Sequence, residues 1–201
     1  MNKKQSMWSL KLSAAALVLI PVAIGINYVG KLFAGALKLP LWLDSIGTVL
    51  ASMLAGPVVG GISGLVNNII YGLTIDPISF VYALTNLGIG LVVGILTFKG
   101  WVTNIGKAMI LGIIVGLTAV VISTPLNIIF WGGQTGNVWG DSVFTYFLAH
   151  HSPLWIASFF DEIIVDIPDK IIVVLVSYII YKGLPKNTLQ MFNRNQSIER
   201  L

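Results

Sequence analysis

The sequence contains no cysteine, only two histidines, and charged residues at 10% of its 201 positions. Without cysteine there is no disulfide framework, no thiol nucleophile and no thiolate metal site. The two histidines, His150 and His151, are adjacent, which is not the i, i+4 pair of a helical zinc site, and no third ligand stands at a diagnostic spacing. A Gly-x-Ser-x-Gly elbow, a P-loop and a dinucleotide fingerprint are all missing. The chain therefore reads as a non-enzyme without metal or cofactor, and any uphill work must draw on a partner or an ion gradient. The shortage of charge excludes more. A soluble domain carries about a quarter charged residues, so this chain has too few to solvate a globular surface. Its +4 net charge would hint at nucleic acid in a soluble protein. In a membrane protein the placement of charge matters more than the sum, and no nucleic-acid partner is expected.

What is present is apolar sequence in long runs. Hydrophobic residues make up 56% of the chain and the mean hydropathy is +0.87. Crossing a hydrocarbon core of about 30 Å takes about 20 residues, and six such crossings can be drawn. The first covers 10–29, with Pro21 inside it, and reads as an uncleaved span because its apolar run is too long for a signal peptide. The second and third, about 43–55 and 58–73, form a tight hairpin broken at Ala55-Gly56-Pro57. Asp76-Pro77 reads as an N-cap and first-turn proline opening a fourth span, 77–98. A fifth occupies 105–124, extendable past Pro125 to Trp131, before the Gly-rich polar segment 132–142. The last apolar region, 153–181, is interrupted by acids and Pro168, as one kinked helix or as a short outer helix followed by a spanning one.

The basic residues orient these spans. Lys3, Lys4, Lys11, Lys99, Lys107, Lys182, Lys186, Arg194 and Arg200 fall on one side, against Lys31, Lys38 and Lys170 on the other. The positive-inside rule then puts both termini in the cytoplasm. All acids but Glu199 fall toward the outside. The expected architecture is an all-α integral membrane bundle of six helices. Residues 1–9 are a cytoplasmic N-terminal segment, 10–183 the membrane domain and 184–201 a cytoplasmic tail.

Small residues recur at four-residue spacing: Gly47, Ala51 and Ala55, then Gly60 and Gly64, with Gly90/Gly94 and Gly112/Gly116 further on. In lipid, helices associate by close packing that such residues permit. They serve either the interior of the bundle or a surface for another membrane subunit.

Polar groups in this apolar setting are the candidate ligand-binding residues. Asp44 opens the second span, as an N-cap or as a group facing a ligand. Asn86, inside the fourth span, is interhelical glue or the floor of a pocket. Asn127 and Trp131 lie one turn apart, and Trp139 follows in the outer loop. These tryptophans are interfacial belt residues or cover a flat ligand. Asp161, Glu162, Asp166, Asp169 and Lys170 form the densest polar set. Glu162, Asp166 and Lys170 share one face if the helix continues through Pro168; otherwise Asp166 caps a new helix there.

The chain resembles the substrate-binding S component of energy-coupling factor (ECF) transporters, the bacterial vitamin importers. The resemblance lies in its size, six short spans, cytoplasmic ends, Leu43-Asp-Ser-Ile-Gly-Thr48 opening a glycine-rich hairpin, and a last span from Pro168-Asp-Lys170 to Lys182-Gly-Leu-Pro185. It implies a multi-pass protein of the bacterial plasma membrane that captures a vitamin-like molecule at its outer face. A membrane coupling subunit and two cytoplasmic ATPases would then complete delivery. Family members carry Ala-x-x-x-Ala in the first span for docking. Here that span has Ala14-Ala15-Ala16, and the clean pair, Ala51 and Ala55, is in the second. All five are docking candidates. A sensor module acting through a separate partner and an autonomous secondary transporter are the alternatives. For the ligand, the acid-rich outer face with its aromatics favours a flat neutral or cationic pyrimidine or pyridine. Lys170, Lys31 or Lys38 would instead pair with a carboxylate such as that of pantothenate or folate.

Overall fold

A computed structural model describes residues 14–193 as eight α-helices and one short 3₁₀ turn, with no strand among the described residues. Lys3, Lys4, Lys11, Arg194, Glu199 and Arg200 lie outside the described residues, as do the 1–9 segment and the start of the first span. Helix α1 (Ala14–Ala36) runs through Pro21. Helices α2 (Ile46–Ala55) and α3 (Pro57–Thr74) meet at Gly56, whose φ of +86° suits a residue without a side chain, and Pro57 occupies the first turn of α3. The expected hairpin break is therefore where the sequence placed it.

Helix α2 does not begin at Asp44. Its N-cap is Ser45, which makes no side-chain capping bond. The cap comes instead from α1: Asn27 Oδ1 accepts from Gly47 N at 2.7 Å and Thr48 N at 3.2 Å, while Asn27 Nδ2 donates to Thr48 Oγ1 at 2.8 Å. One fully buried amide thus satisfies two donors that the first turn of any helix leaves open. Asp76 accepts from Ile78 N at 3.1 Å as expected. The element it caps is the 3₁₀ turn Pro77–Phe80, and α4 starts later, at Ala83, and ends at Phe98.

Helix α5 (Ile105–Trp131) continues past Pro125 and stops at Gly132 in the left-handed conformation. Part of the expected polar segment 132–142 is helical: α6 (Val138–Ala149) begins where Asn137 Oδ1 accepts from Trp139 N. Helix α7 (Leu154–Gly183) is one continuous element through Pro168, which settles the two readings of 153–181 in favour of a single helix. Helix α8 (Lys186–Asn193) occupies part of the expected tail.

Two helices, α1 and α5, are long and apolar enough to cross a membrane. Helix α2 rises only about 15 Å over its ten residues, half a hydrocarbon core, and Gly47–Met53 are all buried. It is an interior helix, enclosed by α1, α3, α4 and α7. Val49, Met53, Ile89, Val93, Leu111, Val115, Val173 and Val174 form the main core between α2, α4, α5 and α7. Outside it, Leu17, Val18, Val22 and Phe33 of α1 and Ile113, Leu117 and Val121 of α5 are exposed, an apolar exterior unlike that of a soluble bundle.

The small residues are used inside. Gly90 faces the backbone at Gly60–Gly61, Gly94 faces Pro57, and Gly112 and Gly116 face Ile171 and Ile167 of α7, each with no room for a Cβ. Ala16, Ala23, Ala51 and Val59 form a second cluster, against which Ala55 and Phe192 of α8 pack. Of the five docking candidates, Ala16 and Ala51 are buried and present no surface, because their small side chains let α1 lie against α2. Ala15 and Ala55 are half-buried and Ala14 is exposed.

Candidate functional site

The linker 37–45, the 3₁₀ turn and the segment 132–137 gather at one end of the bundle, opposite Ala14, Gly56, the 99–104 connection and Gly183. Between them lies a cavity of about 150 Å³, lined among others by Lys31, Trp42, Asp44, Asp76, Ser79, Tyr82, Asn86, Thr135, Glu162, Asp166 and Lys170. A cavity of about that size accepts one benzene-sized ring. Unlike a hydrophobic packing defect, this one is charged.

Lys170 organises one wall. Its Nζ lies 2.6 Å from Asp169 Oδ2, 3.4 Å from Asp44 Oδ1 and 3.7 Å from Asp166 Oδ1. Continuity of α7 through Pro168 makes this possible, since Asp166 and Lys170 are then one turn apart on one face. The other Asp169 oxygen, Oδ1, accepts from Trp42 N at 3.1 Å and Leu43 N at 2.9 Å. Asp169 therefore ties the linker to α7 and delivers Asp44 to the lysine. Burial pushes the Asp44 carboxyl up, but Lys170 and Lys31 outweigh it and hold its pKa below the usual carboxylate value. Asp44 is an ion-pair member, not a helix cap.

A second network holds Glu162. Tyr82 Oη donates to Asn127 Oδ1, and Asn127 Nδ2 donates to Glu162 Oε1. Across the cavity, Lys31 Nζ donates to Ser79 Oγ at 2.7 Å and lies 4.4 Å from the centre of the Tyr71 ring. Asn86 Nδ2 donates to the Asp44 carbonyl at 3.2 Å and to Asn68 Oδ1 at 3.0 Å. It is both interhelical tie and cavity lining. Thr135 donates to Asp161 through N and Oγ1, at 3.2 and 2.9 Å, which fastens the 132–137 segment to α7 at the rim.

Of the sequence candidates, Asp44, Asn86, Asp166 and Lys170 line the cavity, and Asn127 and Asp169 stand one hydrogen bond behind it. Trp131 and Trp139 are not in the lining. Trp139 is 56% exposed and its indole donates to the Lys38 carbonyl at 3.4 Å, so it braces loops from outside. The aromatic groups at the cavity are Trp42 and Tyr82, which sequence reasoning did not single out. Lys31 entered that reasoning only as one of three lysines able to pair with a ligand carboxylate, and Glu162 only as a member of the densest polar set. A signal existed for Lys31: Ala23, Asn27 and Lys31 recur every fourth residue, and the first two are buried. No family model, no curated protein and no solved structure matches the chain.

Proposed function

We propose that this chain is a substrate-capturing membrane subunit of the ECF importer type, which holds a small ring-sized molecule in the cavity and releases it only with partner subunits. The observation that carries the reading is a charged, ring-sized cavity at one end of a helical body whose exterior is apolar. Helices α1, α2, α3, α4, α5 and α7 supply six crossings, with the short α2 shielded by its neighbours. The cavity end faces outward in the plasma membrane, because Lys99, Lys107, Lys182 and Lys186 cluster at the other end. A coupling subunit and two ATPases supply the energy. Small-residue docking on α1 falls to Ala14 and Ala15.

Capture must precede docking, so the isolated chain binds its ligand tightly. Detergent-purified protein titrated with water-soluble vitamins, their precursors and nucleobases should show a saturable change in tryptophan fluorescence at sub-micromolar concentration, with Trp42 as reporter. Silence across the panel, together with failure to co-purify ATPase subunits, would overturn the reading.

A further inference from the structure

Resting on the capture reading, we propose that the ligand is a compact zwitterion. Its amine or amidine end is set against Glu162 and Asp166, and its carboxylate end against Lys31 and Ser79. Four carboxylates and two ammonium groups line the cavity, but the two cations are not equivalent. Lys170 is shared by Asp44, Asp166 and Asp169 and is 2% exposed, so an incoming anion finds it neutralised. Lys31 bonds the neutral Ser79 hydroxyl and rests on the Tyr71 ring, and it has no ion pair among the described residues. It is the cation that a ligand carboxylate can reach.

The acids divide in the same way. Glu162 is 2% exposed and takes its hydrogen bond from the neutral Asn127 amide. No cation stands within ion-pair distance of it among the described residues, and Asp166 holds the longest of the three contacts to Lys170. Glu162 is a second buried carboxyl beside Asp166 with no cation of its own, which is costly, and a ligand ammonium group set between the two acids relieves that cost. Among the described residues no three His, Cys, Asp or Glu side chains are arranged to hold a metal ion. The two poles are carried by different helices, Lys31 by α1 and Glu162 and Asp166 by α7, which both pack on α2. A cavity of about 150 Å³ then requires both charges on one small molecule.

The test uses the full chain in detergent and the vitamin panel sorted by charge at pH 7. It adds 4-(aminomethyl)benzoate and ω-amino acids of two to six carbons. A zwitterion as tightest binder is expected. Its methyl ester should bind at least about thirty-fold more weakly, the loss of one buried charge partner. Lys31→Gln should weaken the parent compound by a similar factor and leave the ester unchanged. Glu162→Gln should treat the N-acetyl derivative in the same way. Lys31→Arg, which keeps the charge, should retain most binding and controls for folding. If the tightest binder is neutral or singly charged, or Lys31→Gln weakens ester and parent equally, the zwitterion is overturned while capture stands. If nothing binds, the capture reading itself fails and takes this inference with it.

Discussion

Lys170 shows how one side chain can decide whether an apolar body tolerates acids at all. Three carboxylates share its ammonium group, and one of them, Asp169, also anchors the backbone at Trp42 and Leu43. Removing one partner from a buried ion pair costs about 3–5 kcal/mol, because the others are left uncompensated. Lys170→Met should therefore destabilise the protein by about that amount, read as a shift in its denaturant midpoint in detergent. Asp169→Asn should cost less, since asparagine keeps an oxygen for the two backbone donors and Lys170 retains Asp44 and Asp166. Equal losses for the two variants would mean that the short Asp169 contact, and not the cluster of three acids, carries the charge stabilisation of Lys170. Asn27 makes a separate case at the same scale. Asn27→Leu strands the Gly47 and Thr48 amides in a dry interface, at about 1–3 kcal/mol, and faster hydrogen exchange confined to the first turn of α2 would identify the cause.

At the scale of elements, the pairing of α5 with α7 positions the site. Gly112 and Gly116 let α7 approach so closely that a Cβ would collide with Ile171 and Ile167. Those contacts sit beside Asp166 and Lys170 in the helix. Gly116→Leu should therefore push α7 away and abolish ligand binding with the cavity residues intact. Leucine at Gly106, whose Cβ would meet only the Asn104 side chain, should leave binding within about two-fold, as surface changes do. The same helices explain what the sequence could disclose. The 162, 166, 170 spacing needs only a helical period, so its shared face was legible once continuity through Pro168 was considered. The four-residue glycines were legible as packing devices for the same reason. Helix α6 was hidden by its own composition, since Gly140 and the neighbouring glycines read as loop. Trp131 and Trp139 were chosen for their chemistry, but which way an aromatic ring faces depends on partners distant in sequence. Lys31 joins the site only because α1 packs against α3 and the 3₁₀ turn, a contact between residues 48 positions apart.

At the scale of the molecule, charge is sorted along the bundle. Asp44, Asp76, Glu162 and Asp166 surround the cavity at one end, while Lys99, Lys107, Lys182 and Lys186 lie toward the other. A membrane potential and the insertion machinery both respond to basic residues, so on the capture reading proposed above the basic end faces the cytoplasm. The cysteine-free sequence makes the orientation directly measurable, because any cysteine introduced is the sole thiol. Ser142 on α6 and Lys99 after α4 are both exposed and stand at opposite ends. In intact cells, a membrane-impermeant maleimide should label Ser142→Cys fully and leave Lys99→Cys unmodified until the cells are lysed. The reverse pattern would place the cavity on the cytoplasmic side, where an importer's capture site cannot be. Equal labelling of both in intact cells would show that the chain does not separate the two compartments, and the membrane reading would fall with it.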